Sequence, residues 1–127
     1  MAARTPRHVH ELFAEHFSAG NLEELMALYD PNAVMEQPDG TVLNGREAIR
    51  EHLAGFLALE CRMNLTVDKV IQSGNLALLL SNWTLTGADT GGDAIESAGR
   101  TSDLVQQQAD GSWLLLIDNP YGGEGSP

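Results

Sequence analysis

The stretch RTSDLVQQQADGSWLLLIDNPYG, residues 100–122, reads as two strands joined by a tight turn. Asp110-Gly111 is a strong signal for a two-residue hairpin turn when extended residues flank it on both sides. Counting outward from that turn places Asp103 directly opposite Asp118. Directly opposed side chains share one face of the sheet, with Cβ atoms about 4.5–5.5 Å apart. The hairpin therefore predicts two carboxylates that face each other.

Two ionised carboxylates at this distance repel, so the pair needs a proton, a cation or a nearby donor. By alternation, the face they share is mostly apolar and suits the lining of a pocket; its other members are Thr101, Val105, Leu114 and Leu116. Two alternatives stay open. A bulge could shift the register and turn one aspartate outward. Both could instead point inward and serve only as acceptors for strand backbone or Thr101.

The opposite face of the hairpin is apolar as well, with Leu104, Trp113, Leu115 and Ile117. The strand LALLL, residues 76–80, also lacks polar alternation. A sheet that is apolar on both faces needs two covers, and helices on one side supply only one. We therefore expect a homodimer that forms through the outer face of the sheet.

Helices precede the strands along the chain. Three are predicted: from Thr5-Pro6 to Gly20, from Asn21 to Asp30-Pro31, and from Asn44 to about Leu59. Residues 33–37 form a short strand, and a long antiparallel meander follows Cys61, with a bulge predicted at residues 69–71. This order predicts an α+β fold with helices on one face of a curved, mostly antiparallel sheet.

Length and composition limit the classes of function. With 127 residues, 43% of them hydrophobic, the chain is long enough for one core. We take residues 1–122 as one domain and the glycine-rich residues 123–127 as a flexible tail. A formal net charge of −11 disfavours binding to nucleic acid or to an anionic membrane. The single Cys61, and the lack of a secretory signal or an apolar stretch of membrane-spanning length, predict a cytoplasmic protein.

Two segments carry a family resemblance: AGNLEELMALYDPNAVMEQPDGTVLNGREAIREHLAG, residues 19–55, and DGSWLLLIDNPYG, residues 110–122. In these the chain resembles the nuclear-transport-factor-2-like superfamily, in particular its SnoaL-like and ketosteroid-isomerase-like branch. The resemblance implies a cystatin-like cone of curved sheet, closed by the N-terminal helices around a deep apolar pocket. It also implies dimerisation through the sheet.

The ketosteroid isomerases use a tyrosine on the first helix, an aspartate base at the end of the first strand and a protonated acid on the penultimate strand. The matching positions here are Phe13, Gln37 and Asp103. Phe13 cannot donate a hydrogen bond, and Gln37 cannot accept a proton at ordinary pH. The isomerase mechanism therefore does not carry over. His52, Trp83 and Asp118 stand at positions that match pocket-lining residues of the family.

These residues lead to an acid–base hypothesis. Asp103 would stay protonated and donate to a substrate carbonyl oxygen, while Asp118 or His52 removes a proton, as in isomerisation or aldol cyclisation. The residues expected to line the pocket around a small apolar ligand are Phe13, Phe17, Met35, Gln37, Phe56, Trp83 and Thr101. A non-catalytic ligand-binding module and an oligomerisation domain with a vestigial pocket are the alternatives.

No cofactor or metal is expected, because His52, Asp103 and Asp118 lack the spacing of a metal site. Three further histidines have simpler interpretations. His8 and His10 are expected to be solvated in the first helical turn, and His16 to pack against the apolar stripe.

Overall fold

The computed structural model describes residues 2–122, so that Met1 and the expected tail at residues 123–127 lie outside the described residues. The helices are α1 (Pro6–Ala19), α2 (Leu22–Met26) and α3 (Arg46–Leu57). The strands are β1 (Tyr29–Glu36), β2 (Val42–Asn44), β3 (Arg62–Ser73), β4 (Leu76–Ala88), β5 (Ala94–Gln107) and β6 (Trp113–Asp118). The predicted α+β class is confirmed.

The six strands form one curved, unclosed sheet in the order β2-β1-β6-β5-β4-β3. Only the β1–β6 pair is parallel, and the other pairs are antiparallel. Irregularities in register bend the strands, because an extra residue on one strand kinks the ladder. One lies between Val67 and Lys69, close to the bulge that the sequence predicts. The helices cover one face of the sheet, called the inner face below, and the core lies between them.

Helix α1 forms as its sequence predicts. Thr5 is the N-cap, and its side chain accepts a hydrogen bond from the backbone nitrogen of His8 over 3.2 Å. Pro6 fits the first turn, where no backbone donor is needed. Gly20 ends the helix with φ of 74°, which glycine adopts without strain. The buried face of α1 includes Phe13 and Phe17, which turn toward the inner face of the sheet.

The second helix is shorter than predicted. It ends at Met26, and Tyr29 begins β1 instead of continuing a helical stripe. The backbone nitrogen of Leu115 donates to the carbonyl oxygen of Leu28 over 2.7 Å, and Tyr29 is fully buried. Pairing with β6 and burial of the tyrosine ring thus outweigh the local helical pattern.

The register of the last hairpin differs from the prediction in two places. Gln107 pairs with Trp113, so residues 108–112 connect the strands instead of a two-residue turn. An extra residue, Leu116, then shifts the register between the pairs Val105–Leu115 and Leu104–Ile117. The second shift cancels the first, and beyond it the strands pair as the sequence predicts.

The first shift exchanges the faces of β6 near the turn. The predicted placement of Trp113 and Leu115 on the outer face is wrong, because both are core residues that are 2% and 1% exposed. Leu114 and Leu116, predicted to share the face of Asp118, are only partly buried. Facing Trp113 inward places a large apolar side chain in the core, which favours this register.

The outer face of the sheet nevertheless carries a continuous apolar row. Ile71, Leu78, Leu104 and Ile117 are successive cross-strand neighbours on β3, β4, β5 and β6. Ile71, Leu78 and Ile117 are 47%, 40% and 38% exposed. Within residues 2–122, no helix has the length and apolar character needed to cross a membrane.

Candidate functional site

The inner face of the sheet, α1 and α3 enclose a cavity of about 390 Å³. All ten site residues that the sequence predicts line it: Phe13, Phe17, Met35, Gln37, His52, Phe56, Trp83, Thr101, Asp103 and Asp118. The fold therefore brings together side chains from α1, α3, β1, β4, β5 and β6.

Asp103 is held at the base of this cavity by three donors. Its Oδ2 lies 2.7 Å from Nε2 of His10, and its Oδ1 accepts hydrogen bonds from the Thr101 hydroxyl and from the backbone nitrogen of Asn119, the latter over 2.8 Å. Asp103 as a whole is 4% exposed. Donors on both oxygens suit an ionised carboxylate, which only accepts hydrogen bonds.

His10 is the main functional residue that the sequence analysis missed. It is 1% exposed, so the expectation that it is solvated is wrong. Its Nδ1 lies 2.8 Å from Oγ of Ser81, which is itself buried, while its Nε2 faces Asp103. Both ring nitrogens are thus engaged. Its spacing of three and seven residues from Phe13 and Phe17 places it on the apolar stripe of α1, and this signal could have revealed it.

Ser81 contacts His10, which in turn contacts Asp103; these three residue types also make up nucleophilic triads, but the arrangement here differs. Ser81 lies behind His10 and does not line the cavity. A nucleophile needs access to the reacting carbon of a substrate. Ser81 therefore orients the imidazole ring and does not act as a nucleophile.

Asp118 lies opposite Asp103, as the hairpin count predicts. The pair Leu104–Ile117 and the hydrogen bond from Ser102 N to Asn119 O, over 3.1 Å, flank the two aspartates on either side. Both side chains line the cavity. The alternative in which a bulge turns one of them outward is therefore not what the structure shows.

The surroundings of Asp118 differ from those of Asp103. Its Oδ2 accepts a hydrogen bond from the Tyr29 hydroxyl over 2.5 Å, and its Oδ1 has no partner among the described residues. Burial raises the pKa of Asp118 well above its usual value, the charge of Asp103 adds to the rise, and the Tyr29 hydrogen bond opposes it. Burial also raises the pKa of Tyr29, as do the two nearby aspartates.

A second polar group lies near Asp118 along β1. Met35 pairs with Asp118 in the parallel β1–β6 ladder, and Gln37 follows two residues later, on the same face. The end of the Gln37 amide lies 3.4 Å from Nδ1 of His52 on α3, and the His52 ring packs edge-on against Phe56 with centroids 5.2 Å apart. Partial burial lowers the pKa of His52, so its ring is neutral near pH 7.

The fold agrees with the comparisons with known proteins. Residues 9–113 match the family described as the SnoaL-like domain. The chain belongs to the SnoaL-like domain family. This confirms the predicted membership of the nuclear-transport-factor-2-like superfamily. No curated protein matches this SnoaL-like chain.

Several solved structures share the fold of this SnoaL-like chain. A ketosteroid isomerase-like protein from Erwinia carotovora atroseptica superposes with a TM-score of 0.78 at 18% identity, covering 89% of each chain. A proposed dehydratase of the NTF2-like family from Streptomyces avermitilis gives 0.74 at 19% identity, covering 88% of this chain and 91% of that one. An NTF2-like protein with a cystatin-like fold from Novosphingobium aromaticivorans gives 0.78 at 16% identity, covering 94% and 80%. At these identities the likeness concerns the fold.

One wall of the SnoaL-like cavity is aromatic and is closed by the segment after β6. Trp83 donates from Nε1 to the carbonyl oxygen of Pro120 over 2.7 Å and packs edge-on against Tyr121. Neither Pro120 nor Tyr121 was predicted as a site residue, although both line the cavity. The indole lies flat over Gly99, where a Cβ atom would come within 2.6 Å of the ring. The absence of a side chain at Gly99 therefore sets the position of this wall.

Among residues 2–122, no three histidine, cysteine or acidic side chains are grouped closely enough to hold a metal ion. The ionisable groups that line the described cavity include the buried carboxyl groups of Asp103 and Asp118, the carboxyl group of Glu36 and the imidazoles of His10 and His52.

Proposed function

We propose that this SnoaL-like domain binds a small, mostly apolar carbonyl compound in the cavity and transfers protons on it. One observation carries the proposal: Asp103 and Asp118 occupy matching positions but have different hydrogen-bond partners. Asp103 accepts from three donors, whereas Asp118 accepts from one and keeps Oδ1 without a partner among the described residues. Unlike environments for a pair of carboxyl groups separate an acid from an anion.

In this proposal the neutral acid is Asp118, and not Asp103 as the sequence led us to expect. Asp118 is the neutral acid, because burial and the adjacent charge raise its pKa. With Oδ2 occupied by Tyr29, the acid hydrogen on Oδ1 is free to donate to a substrate carbonyl oxygen. Asp103 is a positioning residue, whose charge keeps the proton on Asp118. Three donors already occupy its two oxygens, so neither oxygen points freely at a substrate proton.

His52 is the base in this proposal. It lines the same cavity, is neutral near pH 7 and comes from α3, on another element than the aspartates. It would remove a proton from the carbon beside the carbonyl group while Asp118 stabilises the developing oxyanion. A positioned base and acid contribute about 10²–10⁴-fold each to such a step. Isomerisation and aldol cyclisation both begin in this way.

The cavity also limits the substrate. Its volume of about 390 Å³ admits a small flat molecule, and Phe13, Phe17 and Trp83 offer apolar surfaces to such a ring. The aspartate pair keeps a negative charge at the base of the cavity, so an uncharged compound is favoured over a carboxylate.

Hydrogen–deuterium exchange tests this function without knowledge of the product. A panel of one- and two-ring ketones and enones is incubated with the full chain in D₂O, and exchange beside the carbonyl is followed by NMR. Asp118→Asn keeps the shape but cannot give up an acid proton, so exchange should fall at least about 100-fold. His52→Gln should behave likewise. Gln72→Ala, at an exposed residue of β3 that does not line the cavity, is the control and should not change the rate. Absence of exchange with every compound would contradict the proposal.

The non-catalytic alternative makes a different prediction in the same experiment. A ligand-binding module would bind members of the panel, seen as quenching of tryptophan fluorescence, and would leave their hydrogens in place.

We also propose that the domain is a cytoplasmic homodimer that associates through the apolar row on the outer face of the sheet. The row of Ile71, Leu78, Leu104 and Ile117 supports this, because three of its four large apolar side chains are 38–47% exposed, which is costly to leave in water. The lone Cys61, which is buried and has no disulfide partner among the described residues, fits a reducing compartment.

A further inference from the structure

The Thr41 hydroxyl lies within hydrogen-bond distance of two oxygen atoms, and this determines how the Gln37 amide beside His52 is oriented. Oγ1 of Thr41 lies 2.7 Å from Oδ1 of Asp39 and 2.8 Å from the oxygen end of the Gln37 amide. Two oxygens at such a distance repel unless a hydrogen lies between them. The threonine hydroxyl has only one hydrogen to give.

Asp39 must receive that hydrogen. It is exposed, and the hydrogen bonds from the side chain and the backbone of Thr41 lower the pKa of its carboxyl group. It is therefore ionised near neutral pH and can only accept. Toward Gln37, the oxygen of Thr41 must then act as an acceptor.

The Gln37 amide can meet this requirement by a half-turn. Its oxygen and nitrogen have nearly the same shape, so the hydrogen-bond network decides which is which. With the nitrogen donating to Thr41, the amide oxygen is the atom 3.4 Å from Nδ1 of His52. An oxygen acceptor there requires a hydrogen on Nδ1.

We propose that Gln37, oriented by Thr41 and Asp39, is a positioning residue that holds neutral His52 with its hydrogen on Nδ1 and its lone pair on Nε2. No described residue bonds to Nε2, and the ring lines the cavity. The use of that lone pair as a base rests on the proposed function. The choice of tautomer does not.

The hydrogen-bonded series Asp39, Thr41, Gln37 and His52, called the relay below, gives Gln37 a role at the position where the ketosteroid isomerases carry their base. Gln37 takes no proton itself. Asp39 fixes the hydroxyl hydrogen of Thr41, Thr41 fixes the orientation of the Gln37 amide, and the amide fixes the tautomer of His52. In other enzymes too, a second residue fixes the tautomer of a histidine base.

Nitrogen-15 NMR of the full, uniformly labelled chain tests this inference directly. Two-bond correlations from the ring hydrogens distinguish a protonated from an unprotonated ring nitrogen, and His52→Gln identifies the His52 signals among the four histidines. Above the titration of His52, its Nδ1 should carry hydrogen and its Nε2 should not. A dominant Nε2–H form, the one that free histidine favours, would overturn the inference.

Two variants separate the relay from the fold. Thr41→Val keeps the shape and removes the hydroxyl, so the His52 signals should shift toward the Nε2–H form. Thr41→Ser restores the hydroxyl and should keep the wild-type signals. Thr41 is exposed, so neither change threatens folding. Identical signals in wild type and Thr41→Val would also overturn the inference.

The exchange experiment then distinguishes this inference from the proposed function. Exchange that depends on His52 while Nε2 carries the hydrogen would retain the function and reject the relay. The Nδ1–H form without exchange on any compound would retain the relay and reject the function.

Discussion

His10 Nε2 and Asp103 Oδ2 lie 2.7 Å apart in a fully buried contact that joins α1 to β5, although 93 residues separate them in the chain. The contact ties the helix that covers the cavity to the strand that forms its base. It also places an imidazole next to Asp103, whose charge helps to raise the pKa of Asp118. One pair thus links the position of α1 to the electrostatics of the site.

The replacement His10→Ala should therefore be far more destabilising than a replacement of its neighbour. It leaves Asp103 buried without its partner and opens a cavity, for an expected loss of about 3–5 kcal/mol in the free energy of unfolding. His8→Ala, in the same helix but less buried, is the control and should cost less than about 1 kcal/mol. Urea denaturation measures both. Equal losses would show that the His10 contact is not energetically important.

The two aspartates should respond differently to replacement by asparagine at pH 7. Asp118→Asn exchanges one neutral group for another of the same shape and should hold or raise stability. Asp103→Asn turns an amide toward His10 and removes the acceptor charge, at a cost of about 1–3 kcal/mol. Thermal or urea denaturation ranks them. The reverse ranking would mean that Asp103 carries the proton, as the sequence analysis first supposed.

The stability of wild type and of Asp118→Asn should diverge as the pH rises. In the unfolded chain Asp118 loses its proton near pH 4. In the folded chain its raised pKa holds the proton to higher pH. Between these two values the folded state binds more protons, so the free energy of unfolding falls with rising pH, by up to about 1.4 kcal/mol per unit. Asparagine lacks this loss. Urea titrations from pH 4 to 8 should show the gap, and parallel curves would contradict the assignment.

A methyl group at position 99 should displace one wall of the cavity. In Gly99→Ala the new Cβ would lie 2.6 Å from Cζ2 of Trp83, so the indole must move and lose its hydrogen bond to Pro120. We expect altered tryptophan fluorescence, weaker binding of any ligand in the cavity and a cost of about 1–3 kcal/mol. Gly55→Ala, whose Cβ would meet open space, is the control. Unchanged fluorescence and binding in Gly99→Ala would show that the wall yields freely.

The dimer predicted through the apolar row should dissociate when charge is placed at its centre. Leu78→Lys combined with Ile117→Lys should give a monomer by light scattering after size exclusion, because two buried ammonium groups per protomer are costly to desolvate. Val42→Lys, at an equally exposed apolar residue outside the row, should leave the dimer intact. A wild-type monomer at micromolar concentration would sink this proposal.

The sequence predicted much of the fold because its signals are local. The cap at Thr5, the stop at Gly20 and the bulge near Val67 all follow from a few neighbouring residues. The end of α2 does not. Tyr29 leaves the helical pattern because its ring is buried and its strand pairs with β6, and both partners are distant in sequence.

The opposed aspartates were predicted for reasons that proved only partly correct. The predicted two-residue turn is wrong, because residues 108–112 connect the strands and shift the register by one position. The extra residue Leu116 restores the register before Asp118. The position of such a bulge depends on which side chains are buried in the core. Here the burial of Trp113 favours the shifted register near the turn, and the bulge follows from it. The hydrogen-bond partners of the pair were less accessible to prediction. Tyr29 and His10 reach the aspartates only through tertiary packing, and those contacts determine which carboxyl group keeps the proton.

Among the strands of residues 2–122, β6 is made last on the ribosome, yet it lies inside the sheet, between β1 and β5. A nascent chain that ends before Trp113 holds both neighbours with open edges, which are prone to pair with other chains. Because β1 and β6 are far apart in sequence, their pairing is among the slower steps of folding. Asp118 arrives with that strand. The chain therefore cannot place Asp118 in the cavity until the whole sheet has been made, and a fragment that ends before β6 would be prone to aggregate.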